Sequence, residues 1–290
     1  MPELNRIKGK VIAVLSGKGG TGKTLLSVNL ACAAGEAVYI DCDVEEPNGH
    51  LFFKPDILGE ADIKASTPVL NEDLCVGCRT CVNFCKFNTL AFIKNKPYVF
   101  EDICHSCGGC ILLCPKQALS EKSRVMGRIV YGKAGETHVY TGMMNIGEAS
   151  GVSIIRRLLK YKGDYKEQTV FIDCPPGSAC TVIESISSAD YCLIAAEPTI
   201  FGAHNLEMVY ELTRVLNKSV GVVLNKCTDG SNPSEEFCAK NNIPVLAHIP
   251  YDSELGVISS EGKIAFYENP KYQNLFNSLL NKINKEIEAV

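Results

Sequence analysis

A chain of 290 residues, 46% hydrophobic and 21% charged, can bury one sizeable core plus a small second module, and its composition excludes a disordered or low-complexity protein. The net charge of -4 argues against a general binder of nucleic-acid backbones, which needs clustered Lys and Arg. No apolar leader occupies Met1–Lys10 and Val11–Leu15 is too short to span a bilayer, so the 15 cysteines are expected in the reducing cytoplasm, as metal ligands or buried thiols.

The elements alternate along the chain. Val11–Leu15 reads as a strand, Thr24–Ala34 as a helix and Ala37–Ile40 as a strand. A cysteine-dense stretch interrupts the rhythm. Beyond it, Val152–Tyr161 reads as a helix, Thr169–Ile172 and Tyr191–Ala196 as strands, His204–Asn217 as a helix, Ser219–Leu224 and Val245–Ile249 as strands, and Lys271–Ile287 as a helix. Continuous apolar runs suit parallel strands covered on both faces. The alternation predicts an α/β fold with a doubly wound, mainly parallel sheet. The last helix lines up Leu275, Phe276, Leu279, Leu280, Ile283 and Ile287 on one face. Its polar face mixes Lys282 and Lys285 with Glu286 and Glu288, so packing on the sheet is favoured over attachment to a membrane.

Gly17 to Thr24 fits G-x4-G-K-[ST] between a predicted strand and a predicted helix, the context of a phosphate-binding loop. Gly17, Gly19, Gly20, Thr21 and Gly22 let backbone amides approach phosphate oxygens at a helix N-terminus. Lys23 is expected to reach the β- and γ-phosphates of ATP, and the Thr24 hydroxyl to bind Mg²⁺. Asp41 and Asp43 end the second strand and Asp173 ends a later one, where buried carboxylates need a cation.

The extra lysine, Lys18, together with Asp41-Cys42-Asp43 and Phe171-Ile172-Asp173-Cys174-Pro175-Pro176-Gly177, resembles the deviant phosphate-loop ATPases of the MinD/ParA family, a class that includes nitrogenase iron protein and Mrp-type carriers. The resemblance implies an ATPase that pairs around ATP as a homodimer or with a homologous subunit. Lys18 would cross to the partner's phosphates, Asp43 would orient or deprotonate the attacking water, and Asp41 and Asp173 would hold Mg²⁺ through water. The Gly177 amide would sense the γ-phosphate, and Asn225, Pro250 and Tyr251 would contact adenine. Glu45-Glu46-Pro47-Asn48, Asn145-Ile146-Gly147-Glu148 and Glu197-Pro198-Thr199 with Phe201-Gly202 narrow the resemblance to family members with an inserted ferredoxin domain.

The cysteine-dense stretch carries Cys75, Cys78, Cys81 and Cys85, then Cys104, Cys107, Cys110 and Cys114 at the same spacing and one constant offset. Glu72-Asp73-Leu74 recurs as Glu101-Asp102-Ile103, and Leu90 as Leu119, which marks an internal duplication. C-x2-C-x2-C-x3-C is the ligand spacing of bacterial [4Fe–4S] proteins; a mononuclear zinc site is the competing reading and suits this spacing poorly. The stretch resembles two-cluster ferredoxins. That implies an α+β insert at 61–122 within an ATPase domain formed by 1–60 and 123–290. It also implies crossed ligation, with Cys75, Cys78, Cys81 and Cys114 on one cluster and Cys104, Cys107, Cys110 and Cys85 on the other. Lys86 stands where the second run has Pro115, and His105 is expected outside the ligand set. Cys180 is expected as a packing thiol, with a labile metal contact as its alternative. Cys32, Cys42, Cys174, Cys192, Cys227 and Cys238 are expected mostly as buried, inert thiols.

The expected function is ATP-gated electron transfer to a redox or cofactor-assembly partner, without nucleic acid or membrane. A carrier of iron–sulfur or other metallocofactors is the alternative, and a ParA-like spatial organiser the second.

Overall fold

The computed structural model describes residues 9–289, so the leader region weighed above lies, up to position 8, outside the described residues. The first half runs β1 (Val11–Leu15), α1 (Lys23–Ala34), β2 (Ala37–Asp41), α2 (Gly49–Phe53), β3 (Asp56–Leu70), α3 (Thr80–Phe84), β4 (Leu90–Ile93), β5 (Lys96–Val99), α4 (Gly109–Leu112), β6 (Leu119–Ala134) and β7 (Thr137–Met144). The second half runs α5 (Val152–Leu158), β8 (Thr169–Asp173), α6 (Cys180–Ile186), β9 (Tyr191–Ala196), α7 (Ile200–Val215), β10 (Ser219–Cys227), α8 (Pro233–Lys240), β11 (Val245–Pro250), α9 (Ser253–Ser260), α10 (Ala265–Glu268) and α11 (Pro270–Glu288).

A nine-stranded sheet in the order β11-β10-β9-β1-β8-β2-β7-β6-β3 organises the described residues. It is parallel from β11 to β7 and antiparallel from β7 to β3. Alternate residues of one strand serve opposite layers. Ala13 and Leu15 join Ile154, Val182 and Leu206 on one side, while Ile12 and Val14 join Leu26, Leu30, Phe276 and Leu279 on the other. Both faces are dry, which explains the unbroken apolar runs. Helix α11 buries Tyr272, Phe276, Leu279, Leu280 and Ile283 against the sheet layer, the packing its apolar face predicts. Among the described residues no helix is long and apolar enough to cross a membrane.

The sequence reading missed β3, β6 and β7. Strands β3 and β6 pair over their whole length, from Asp56↔Lys133 to Leu70↔Leu119, whereas β7 accompanies β6 only from Gly127 to Ala134. The outer half of the β3–β6 pair therefore projects beyond the sheet as a two-stranded arm carrying residues 71–118. The boundaries read at Ala61 and Lys122 fall inside these strands. Half-exposed strands alternate apolar and polar residues: Ile63 and Ala65 are buried while Asp62 and Lys64 are exposed. Cysteine density hid that alternation.

Candidate nucleotide site and cysteine module

The loop between β1 and α1 delivers an anion cradle. Helix α1 has no side-chain cap and no acidic residue in its first turn, whereas α7, α8, α9 and α11 are capped by Thr199, Asn232, Asp252 and Asn269. Its first amides thus meet no side-chain competitor for an anion. Gly22 sits at φ 101, and an added Cβ there would lie 2.4 Å from Asn225 Nδ2. Both constraints demand glycine. Gly17 and Lys18 are partly shielded, Gly19 and Gly20 are exposed, and Thr21 is buried. Thr24 is the second residue of α1 and half-buried.

Two residues strap the loop from outside. Asn225 Nδ2 donates to the Thr21 carbonyl at 2.7 Å, and Lys226 Nζ donates to the Gly20 carbonyl at 2.7 Å. Lys226 also pairs with Glu197 Oε1 at 2.8 Å, and Lys18 Nζ lies 2.7 Å from Glu197 Oε2. Glu197 thus grips two cations at once, and although burial opposes the shift, those lysines hold its carboxyl below the usual range. Sequence reading quoted Glu197 within a motif but gave it no role, and missed Lys226 altogether; the lysine directly after Asn225 was the available signal.

The three aspartates converge beneath the loop. Asp41 and Asp173 stand in register on β2 and β8, both buried. Asp41 accepts the Gly49 amide at 2.9 Å and the Asp43 amide at 3.1 Å. Burial, then the Asp173 charge, pushes the Asp41 carboxyl well above its ordinary pKa. Asp173 Oδ2 accepts the Tyr39 hydroxyl at 2.9 Å, and Asp173 Oδ1 is buried without a partner among the described residues. Lys23 Nζ lies 3.8 Å from Asp43 Oδ2. Burial raises Asp43 to about 6, against the opposing pull of Lys23. Two buried carboxylates and an orphaned oxygen are the donor chemistry of a hydrated divalent cation. Gly177, at φ 91, donates its amide to the Ser16 carbonyl at 2.9 Å, so sensing a phosphate requires exchange of that bond. Asn225, Pro250 and Tyr251 line one groove of ≈ 600 Å³ with Gly20, Gly22 and Leu25.

The cysteine module is duplicated in three dimensions. Left-handed backbone at Gly77, Arg79 and Asn88 (φ 68, 65 and 54) recurs at Ser106, Gly108 and Gln117 (φ 55, 71 and 49), at the offset that relates the two runs. Its small core pairs Cys81 with Cys110 and Leu90 with Leu119 by the same offset. The start of each repeat bonds the end of the other: Asn71 donates to the Ala118 carbonyl at 2.7 Å and Phe100 to the Thr89 carbonyl at 2.9 Å. Cys75, Cys78 and Cys81 line a cavity of ≈ 20 Å³ together with Cys114. Cys104, Cys107 and Cys110 line one of ≈ 260 Å³ together with Cys85. The Ala118 amide donates to Cys114 Sγ at 3.2 Å, and at the matching place Thr89 Oγ1 lies 3.2 Å from Cys85 Sγ. Among the described residues no three His, Cys, Asp or Glu side chains close on a point that could hold a single metal ion.

His105 is exposed and stacks on Phe87 with ring centroids 3.8 Å apart, at the wall of the second cavity. Cys180 opens α6 and is exposed, which corrects the expectation of a packing thiol. Cys32, Cys42, Cys174, Cys192 and Cys238 are buried and Cys227 is half-buried.

A phosphate cradle at the C-terminal edge of a doubly wound sheet, with three carboxylates beside it, defines a P-loop nucleotide-binding protein. Residues 12–265 match the CobQ/CobB/MinD/ParA nucleotide binding domain, and the chain belongs to that family. It is 30% identical over 283 residues to the uncharacterized protein MJ0578 of Methanocaldococcus jannaschii, covering 95% of this chain and 97% of that one. The uncharacterized ATP-binding protein MJ0547 of the same organism is 24% identical over 288 residues, covering 96% and 89%. Among solved structures, the cell division ATPase MinD of Pyrococcus furiosus has the same fold, with a TM-score of 0.61 at 22% identity over 96% of this chain and 99% of that one.

Proposed function

We propose that this chain is a Mg²⁺-dependent, dimerising ATPase that carries two [4Fe–4S] clusters in an inserted ferredoxin-like unit and uses ATP to gate electron transfer. The observation that carries the reading is the sorting of eight cysteines into two cavities, each lined by three thiols of one run and the fourth of the other. That sorting supports crossed ligation by a duplicated unit.

The loop amides and the N-terminus of α1 bind the phosphates, and Lys23 turns from Asp43 to the β- and γ-phosphates. Asp41 and Asp173 would orient the water shell of Mg²⁺, whose charge offsets that of the phosphate oxygens. Asp43, freed from Lys23, accepts a hydrogen bond from water aimed at the γ-phosphorus; the water oxygen bonds phosphorus as the bond to the β–γ bridging oxygen breaks. Burial raises Asp43 above the ordinary carboxylate range, to about 6 with Lys23 still beside it, which suits a group that accepts a proton from water. Lys18, released from Glu197, neutralises charge across the dimer. The clusters would supply one-electron exchange.

The test is reconstitution with iron and sulfide, followed by reduction with dithionite and transfer to an added acceptor, with and without Mg·ATP. ATP is expected to change the transfer rate or the reduction potential. Kinetics and potentials indifferent to nucleotide sink the gating reading.

A further inference from the structure

We infer that Arg124 and Glu148 form the joint through which the nucleotide half of the molecule positions the Cys104 half of the cysteine module. The inference rests on the function proposed above and concerns how that site is regulated.

Arg124 lies on the part of β6 that projects beyond β7. Its guanidinium grips both carboxylate oxygens of Glu148, with Nη2 2.7 Å from Oε2. Nη2 also donates to the Glu101 carbonyl at 3.2 Å, and that same carbonyl accepts the Cys104 amide at 3.2 Å. One oxygen atom thus joins the guanidinium to the first cysteine of the second run. The two side chains are 17% and 7% exposed, so solvent screens the pair weakly. A planar fork on a carboxylate fixes direction as well as distance.

Glu148 is tied in turn to the segment that follows Asp43. Its amide donates to the Asn145 carbonyl at 3.3 Å, the Asn145 amide to the Met126 carbonyl at 2.9 Å, and the Met144 amide to the Val44 carbonyl at 2.9 Å. Val44 directly follows Asp43 and is wedged between Gly142 and Gly151, where an added Cβ would lie 2.7 and 2.3 Å from its methyl groups. Short contacts therefore run from Asp43, beside Lys23, to Cys104. The contact that ATP must exchange, Lys23 with Asp43, stands at the start of this network.

The joint is one-sided. Glu72 is the counterpart of Glu101 in the first repeat, and both glutamate side chains meet lysines, Glu72 with Lys96 at 2.6 Å and Glu101 with Lys122 at 3.5 Å, so it is the guanidinium bond to the Glu101 carbonyl that marks the Cys104 half. Nucleotide is therefore expected to act on the Cys104 cavity more than on the Cys75 cavity. The motif Asn145-Ile146-Gly147-Glu148 gains a physical role: Asn145 pins the turn to β6 and Glu148 holds Arg124.

The experiment measures ATP affinity on the oxidised and the dithionite-reduced full-length protein after cluster reconstitution. Linkage makes the ratio of these affinities equal to the effect of ATP on cluster reduction, and such couplings run roughly 5–150-fold. Wild type is expected in that range. Glu148→Gln and Arg124→Lys, which keep size but break the bidentate charge pair, are expected to bring the ratio to roughly one with iron content and ATP hydrolysis retained. If Arg124→Lys loses iron, Glu148→Gln, which lies outside the module, carries the test. A second readout needs no electrons: ATP should alter amide exchange over residues 101–107 in wild type and not in Glu148→Gln. A variant with full clusters and the wild-type affinity ratio overturns the joint. A wild-type ratio of one overturns the gating function, and the exchange readout then judges the joint alone: an ATP effect at 101–107 lost in Glu148→Gln sustains it, and an effect retained or missing from wild type overturns it.

Discussion

Replacing Asp173 by asparagine should stabilise this protein without Mg²⁺ and destabilise it with Mg·ATP. Asp41 and Asp173 face each other in register, 0% and 1% exposed. Asp173 Oδ2 is satisfied by Tyr39, but Oδ1 is buried with no partner. An unsatisfied buried acceptor costs about 1–3 kcal/mol, and more when charged. In Asp173→Asn the amide oxygen keeps the Tyr39 hydrogen bond, the NH₂ group points a donor at the orphan position beside Asp41, and one of two like charges is gone. The gain should be about 1–3 kcal/mol, a Tm rise of about 2–4 °C per kcal/mol for a chain of this size. Mg·ATP at about 100 times its Kd adds about 2.7 kcal/mol to wild type, most of which the variant forfeits. Thermal melts in EDTA and in Mg·ATP should therefore cross. The pH dependence in EDTA checks the cause. Burial and Asp173 raise the Asp41 pKa, so the folded state binds the proton more tightly than the unfolded chain. The stability this confers is complete below the ordinary carboxylate pKa and is lost as pH rises through the raised one. The variant should flatten that loss. A variant less stable than wild type in EDTA refutes the argument that the pair is strained without a cation.

Three further predictions concern separate parts of the molecule. Lys18→Ala should spare ATP binding and abolish hydrolysis, while Glu197→Gln, by freeing Lys18, should lower the ATP concentration at which dimers appear in sedimentation; wild-type turnover in Lys18→Ala refutes the trans-acting role. Turnover should fall on the acid side with an apparent pKa above the ordinary carboxylate range, raised by burial of Asp43, and Asp43→Asn should remove turnover at every pH; an acid limb centred near 4 would place the titrating group elsewhere. Double substitution of Cys75 and Cys114 by serine should cost one cluster's iron, whereas Cys75 with Cys85 should cost both clusters; iron assays that rank the two pairs equally reject crossed ligation.

What the sequence made legible follows from burial. Strands β1, β2, β8, β9, β10 and β11 lie between two helical layers, so their apolar runs stand out, and the P-loop and the strand-end aspartates follow from them. Strands β3 and β6 sit at the sheet edge, where one face meets solvent and Asp62 and Lys64 interleave with Ile63 and Ala65, whereas β7 lies inside them with no exposed residue. The part of that period-2 signal at 61–70 was read as part of the cysteine module, and the strands beyond 122 were assigned no element. Helix α7 begins at Ile200 rather than His204 because Thr199 caps it through the Gly202 amide, a cue visible in Glu197-Pro198-Thr199. The grip of Glu197 on Lys18 and Lys226, and of Glu148 on Arg124, joins segments far apart in the chain, and no local pattern announces such pairs.

The arm gives the insertion its mechanical character. From Leu119 to Met126 the chain runs extended past the end of β7, which at ~3.3 Å per residue is roughly 25 Å of two-stranded ribbon. A ribbon of two strands is marginally stable alone and bends readily. The module at its tip has a small core centred on Cys81, Leu90, Cys110 and Leu119, too little apolar burial to fold firmly without a further cross-link. If clusters bind these cysteines, their binding free energy is largely the folding free energy of the module. Two controls would then act separately: cluster loading would order the tip, whereas the part-buried Arg124–Glu148 pair, anchored near the segment that follows Asp43, would set the direction in which the ribbon holds it. A flexible linker would lose that direction, and a fully embedded module could not move. An edge ribbon with one charged joint would permit both order and displacement, which is the mechanical requirement that the proposed gating places on the cysteine module.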